Sequence, residues 1–125
     1  MALPHARPGQ PIDIAPLGPA LAQAASHAIL KTRALELMRI VLLRGAALPP
    51  HCVYGELTLL CVEGAVAVDA GGHSCELRAH QIVLLPAQQE YAIRALEDAS
   101  LLMTVQLPPG LPGSASSTSA EGELR

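Results

Sequence analysis

The side chains of this 125-residue chain that could do chemistry are few: five histidines, three cysteines, two tyrosines and a thin scatter of carboxylates. His51 could serve as a metal ligand, a general base or a hydrogen-bond donor to a bound molecule. The plainer alternative is an inert histidine at a strand edge. Cys52 stands next to it, but neighbouring strand residues point to opposite faces, so the two do not make a Cys–His nucleophile pair. Tyr91 could offer its hydroxyl to a ligand while its ring walls a pocket, although a buried tyrosine finds a partner for packing reasons alone. A one-residue bulge could turn Glu56 toward His51; without it, Glu56 is a solvated loop carboxylate beside Gly55. His80, Gln88, Gln89 and Glu90 flank Pro86 and are expected at the surface. His5 and His73 invite no role. Cys52, Cys61 and Cys75 are odd in number and form no CxxC pair, which argues against a disulfide framework; Cys61, in an apolar run, is a small core residue.

Composition narrows the function classes. Half of the chain is apolar, enough for a core in one domain, yet it contains no Phe or Trp. Leu, Val, Ile and Ala must fill the interior, so a pocket here cannot stack nucleobases on aromatic rings. The formal net charge of −3 and the dispersed basic residues leave no patch to neutralise phosphates, which excludes nucleic acid as the expected partner. No apolar stretch approaches the roughly 18–20 residues of a membrane span, and the start lacks a signal-peptide core. A cytoplasmic protein is expected, with no membrane partner.

The elements that must position these side chains occupy the middle of the chain. Residues 1–23 are rich in proline and are expected to be extended and partly ordered. Residues 108–125, rich in Pro, Ser and Gly, are expected to be a disordered tail. The folded unit spans residues 24–107. Within it, Ala20 to Arg44 is ambiguous: Leu30, Ala34, Leu37 and Val41 keep a helical spacing, whereas Leu35, Leu37, Val41 and Leu43 would share one face of strands. Downstream, Leu57–Val62 and Ala65–Asp69 are β-compatible, and Ala70-Gly71-Gly72 is a hairpin turn before His73–Leu77. Gln81–Leu85, Tyr91–Leu96 and Leu101–Leu107 complete a series of short strands that suggests a sandwich or small barrel. Leu57–Val62 is apolar on both faces, so both must be covered. A second subunit is a natural cover.

The stretch GAALPPHCVYGELTLLCVEG, with AVAVDAGGHSCEL, IVLLPA and ALEDASLLMTVQL after it, resembles the small single-domain cupins of the RmlC-like superfamily. Gly45 and His51 match the opening of their first motif and Gly64 its close; Pro86 alone keeps its place in the second. The resemblance covers about residues 27–107. It implies an all-β double-stranded β-helix, a jelly-roll-like barrel, usually dimeric, and it makes the ambiguous 24–44 segment strands. Metal-binding cupins hold their ion with two histidines and a glutamate from the first motif and a histidine from the second. Those positions fall here on His51, Val53, Leu57 and Tyr91, so a single ligand position is retained. Val and Leu offer no donor to a divalent ion.

The resemblance therefore implies a non-catalytic cupin, homodimeric, taking a small and partly apolar molecule into a pocket bordered by His51, Tyr91, Val53, Leu57 and Glu56. No cofactor is expected; a divalent metal would need a non-standard site. One alternative is a metal-dependent oxygenase or isomerase using His51 with Glu56 or His80. The other is a stand-alone sensor domain acting through a partner protein. The fold hosts many chemistries, so the resemblance alone does not supply a reaction.

Overall fold

Strands dominate the computed structural model, which describes residues 6–109 of the chain. They are β1 (His27–Lys31), β2 (Leu35–Leu42), β3 (Ala47–His51), β4 (Leu57–Glu63), β5 (Ala65–Ala70), β6 (His73–Arg78), β7 (Ile82–Leu85), β8 (Tyr91–Ala95) and β9 (Ala99–Gln106). A short 3-10 helix, Gly18–Gln23, precedes them. Among these residues no helix is long and apolar enough to cross a membrane. Two antiparallel sheets face each other, one in the order β1-β2-β9-β4-β7 and the other β3-β8-β5-β6. The fold is all-β, as expected from the strand series.

The ambiguous segment resolves as β1 and β2. A helix there would have one apolar stripe, but β2 alternates with period two, and Met38, Ile40 and Leu42 enter the core. Leu35, Leu37, Val41 and Leu43, the residues that share a face, lie on the other side. Leu35 and Leu43 are exposed there, while Leu37 and Val41 are half-buried. The pairing of β2 with β9 fixes this choice over eight consecutive residue pairs, so tertiary pairing overrides the helical propensity of Ala and Leu.

The turns follow their chemistry. Gly71 and Gly72 both take positive φ (57° and 81°), the conformation a two-residue hairpin turn requires, and they join β5 to β6 in continuous register. His80 also has positive φ, 73°, in the turn before β7. Its amide donates to the Cys61 carbonyl at 2.7 Å. Ala47–His51 has no strand signature, since Pro49 and Pro50 interrupt it. It is tolerated because β3 is a sheet edge, pairing only with β8 and with an irregularity between Leu48 and His51.

The core between the sheets includes Leu57, Leu59, Leu101, Met103, Tyr91 and Ile93, all nearly or fully buried. Cys61 belongs to it and is completely buried; its thiol donates to the Glu63 and Gly64 carbonyls, and burial pushes its pKa up. The proline-rich segment lies against the barrel. The Ala6 amide donates to the Ile29 carbonyl at 2.9 Å. Further along, the Leu17 and Gly18 amides donate to the Glu63 carboxylate at 2.8 and 3.0 Å. Leu21, in the 3-10 helix, is buried. The Ser/Gly-rich tail lies outside the described residues.

Candidate functional site

His51 ends β3 and stands directly opposite Tyr91, the first residue of β8. Their rings meet edge to face, with centroids 6.0 Å apart and planes at 82°. The His51 ring is half-buried, and its Nε2 atom is inside the protein. Tyr91 is 2 % exposed. Its hydroxyl donates to the Met103 sulfur at 3.7 Å, a weak acceptor. Burial, and secondarily the Cys52 thiol, pushes the Tyr91 pKa up to about 12. At neutral pH it is a neutral phenol that can donate or accept one hydrogen bond, and it is no metal ligand in that state.

Val53 and Leu57 are buried and belong to the hydrophobic core. The four positions that the cupin resemblance assigns to metal ligands therefore present one imidazole, two hydrocarbon side chains and a phenol engaged with a thioether. These residues do not fit such a centre, because a divalent ion needs several N or O donors at fixed geometry. Among the described residues, no three His, Cys, Asp or Glu side chains gather in a group that could hold an ion.

Glu56 does not join His51. It is exposed, and no bulge turns it inward, because β4 pairs with β9 in straight register from Leu57 to Cys61 and the one shift lies at the far end, between Cys61 and Glu63. Its backbone is held on both sides by Gln106: the Gln106 amide donates to the Glu56 carbonyl, and the Glu56 amide to the Gln106 side chain. The expected pocket carboxylate is thus a surface residue. His80 is exposed too and stands at the Cys61 end of β4, whereas Leu57 begins that strand, so it is not a partner for His51 either. Cys52 is exposed, beside a half-buried His51, as alternation requires. Gln88 is exposed with positive φ, and its amide donates to the Val53 carbonyl. Glu90 lies with Asp69, His73 and the Tyr91 backbone strand around an open cavity of about 440 Å³ beside the β5–β6 hairpin.

Three residues that carry no motif hold the more elaborate polar arrangement. Arg39 in β2 is 4 % exposed and Ser100 in β9 is fully buried. An Arg39 Nη donates to Ser100 Oγ at 3.3 Å and another to the Ala15 carbonyl at 3.4 Å. Ser100 in turn donates to Glu63, which also receives the Leu17 and Gly18 amides. Burial alone would raise the Glu63 pKa. The Ser100 hydroxyl, the two amides and the Arg39 charge outweigh it and hold the carboxylate below its usual range. A further missed residue, Glu36, is 2 % exposed and stands in register with Lys31 and Val105; Val105 is in register with Leu57. The signal available in the sequence was two charges, Glu36 and Arg39, three positions apart and so on opposite faces of an otherwise apolar strand, Leu-Glu-Leu-Met-Arg-Ile-Val-Leu.

No family model and no curated protein matches the chain. Solved structures do. A conserved protein of unknown function from Streptococcus pyogenes superposes with a TM-score of 0.67 at 16% identity, covering 88% of this chain and 100% of that one. A cupin superfamily protein from Desulfitobacterium hafniense gives 0.66 at 13% identity, covering 79% and 100%. An RmlC-like cupin with a double-stranded β-helix fold from Methanocaldococcus jannaschii gives 0.62 at 16%, covering 66% and 79%. KdgF from Halomonas sp. gives 0.61 at 21%, with the same coverage. The fold is that of a small RmlC-like cupin, a double-stranded β-helix. At these identities the likeness extends to the fold and leaves the chemistry to this chain's own residues.

Proposed function

We propose that the chain is a non-catalytic cupin that binds a small, partly apolar molecule at the His51–Tyr91 end of the barrel, and that it acts as a homodimer. The observation that carries the reading is the pairing of His51 with Tyr91 across β3 and β8 while Val53 and Leu57 stand as hydrocarbon. One imidazole and one phenol beside Val53 and Leu57 can orient a ligand through one or two hydrogen bonds. They cannot assemble a metal-activated reaction centre.

The dimer reading rests on a different surface. The β7 strand ends the five-stranded sheet, and its Ile82 and Leu84 are each 61 % exposed on the outer face, next to half-buried Leu60 of β4. An exposed apolar edge strand is a liability that a second copy relieves, since a two-fold axis brings the same patch to itself. Light scattering should report twice the chain mass for the parent and a monomer for Leu84→Glu with unchanged circular dichroism. A parent that is monomeric at high micromolar concentration would refute the dimer.

The ligand reading is tested by metal analysis of the purified protein beside a His51→Ala variant. A neutral probe, cyclohexanone, is then titrated while the ring signals of His51 and Tyr91 are followed by NMR. The expected result is no stoichiometric metal in either protein, and saturable shifts of both rings that vanish in the variant and ignore a chelator. Stoichiometric metal in the parent, lost on His51→Ala, would overturn the reading in favour of an enzyme with a non-standard site.

A further inference from the structure

A second cavity lies outside the barrel, and its floor is the buried arginine. It occupies about 570 Å³ between the N-terminal segment and the outer side of β1, and Arg7, Asp13, His27, Ile12, Ile29 and Arg39 are among its lining residues. That volume suits a small organic ligand. The walls are held by the chain itself. The Ala6 amide is bonded to Ile29, and the Gln10 amide to the Arg7 carbonyl closes a turn. Gln10 answers with its side-chain oxygen, which accepts from the Arg7 amide at 3.1 Å.

The polar groups lining the cavity are mostly cationic or donors. Arg39 has five N–H donors, and its recorded acceptors, Ser100 Oγ and the Ala15 carbonyl, are both at the long end of the hydrogen-bond range. His27 stands in register beside Arg39, and its Nδ1 is 3.1 Å from the Ala25 carbonyl. That contact makes Nδ1 the donor and leaves Nε2 as the other polar atom of the ring. Arg7 contributes a second, exposed guanidinium. The lone carboxylate of the cavity, Asp13, is already an acceptor for the Ala15 amide at 2.9 Å. Glu63, which offsets Arg39 electrostatically, accepts from Ser100, Leu17 and Gly18 and does not line the cavity. Guanidinium forks recognise carboxylate geometry in pairs of parallel bonds, and Pro11, Ile12 and Ile29 supply an apolar wall for the remainder of a ligand.

We propose that this cavity is a binding site for a small organic carboxylate, its head group held by Arg39 and Arg7 and its apolar body against Ile12 and Ile29. The site is separate from the His51–Tyr91 end and does not depend on the function proposed for it. Isothermal titration of the full chain with hexanoate tests it, with hexanol and inorganic phosphate as the comparison probes. Hexanoate should bind saturably and hexanol should not. Arg7→Ala, an exposed change outside the Glu63 network, should weaken hexanoate roughly tenfold, while His51→Ala should leave it unchanged. Arg39→Lys, which keeps the charge and loses the fork, should weaken it as well. Absence of saturable hexanoate binding would overturn the proposal, and so would binding that Arg7→Ala leaves intact. Phosphate binding as tightly as hexanoate would overturn the organic-carboxylate assignment. Loss of hexanoate binding in His51→Ala would assign the ligand to the barrel end instead.

Discussion

The barrel end and the seam beneath the N-terminal segment divide the polar chemistry of this molecule unequally. At the barrel end, a histidine and a tyrosine stand beside leucine and valine, and the tyrosine hydroxyl donates to a sulfur. On the outer face of the five-stranded sheet, Arg39 and Ser100 are buried, and Glu63 collects three hydrogen bonds. Buried polar groups are costly unless they are partnered. A carboxylate fastened to the amides of a distant segment therefore specifies where that segment lies. In this chain the Arg39–Ser100–Glu63 group positions the N-terminal strap, whereas the barrel interior is a packing core that also buries one carboxylate, Glu36.

The largest expected effect comes from breaking the seam. Glu63→Ala removes the acceptor of Ser100, Leu17 and Gly18 and leaves Arg39 without its counter-charge. It should cost about 2–3 kcal/mol in urea unfolding, since an uncompensated buried charge is more expensive than the pair it came from. His51→Ala at the barrel end should cost less than half of that. Equal losses at the two sites would remove the distinction drawn between them.

Acid should act on the seam in the same sense. The folded-state pKa of Glu63 lies below its usual 4.5, so the unfolded chain takes up the proton first as pH falls. The contribution of Glu63 is therefore complete above about pH 4.5 and is lost as pH drops through its folded value. Stability measured from pH 6 downward should fall less steeply in Glu63→Gln than in the parent. Identical acid limbs would show that Glu63 titrates alike in both states. Release of the strap itself should be visible as faster exchange of the Leu17 and Gly18 amides at low pH.

Much of the fold was legible because it is written locally. The Gly71-Gly72 hairpin, the apolar β4 and the strand series needed only turn chemistry and period-two alternation. β3 was not legible, since two prolines hide a strand that survives only because it lies at an edge. Leu35, Leu37, Val41 and Leu43 do share one face of β2, but no local pattern says which face is the core; pairing with β9 turns Met38, Ile40 and Leu42 inward. At the site, the sequence singled out His51 and Tyr91 one by one, and their cross-strand pairing came only with the register of β3 on β8. The Glu56 partnership failed because it needed a bulge beside Glu56, and the irregularity of the β4–β9 register lies at Cys61–Glu63 instead. The Arg39–Ser100–Glu63 seam was beyond reach, since its members are separated by 61 and 37 positions and no local pattern marks residues that meet only across neighbouring strands of a sheet.

The smallest effect belongs to the barrel-end phenol, and alkali isolates it. Tyr91 keeps its proton to about pH 12 because burial disfavours the phenolate, while an unfolded tyrosine ionises near pH 10. A folded pKa above the unfolded one gives stability that is complete below about pH 10 and lost as pH rises toward 12. Tyr91→Phe removes that alkaline limb. At neutral pH it forfeits only an O–H···S contact to Met103, which should cost less than about 1 kcal/mol. Phe also fills the same volume among Leu57, Ile93 and Met103. A loss well above that size at neutral pH would mean that the hydroxyl has a stronger partner than the Met103 sulfur. The barrel end would then hold buried polar chemistry comparable with the seam.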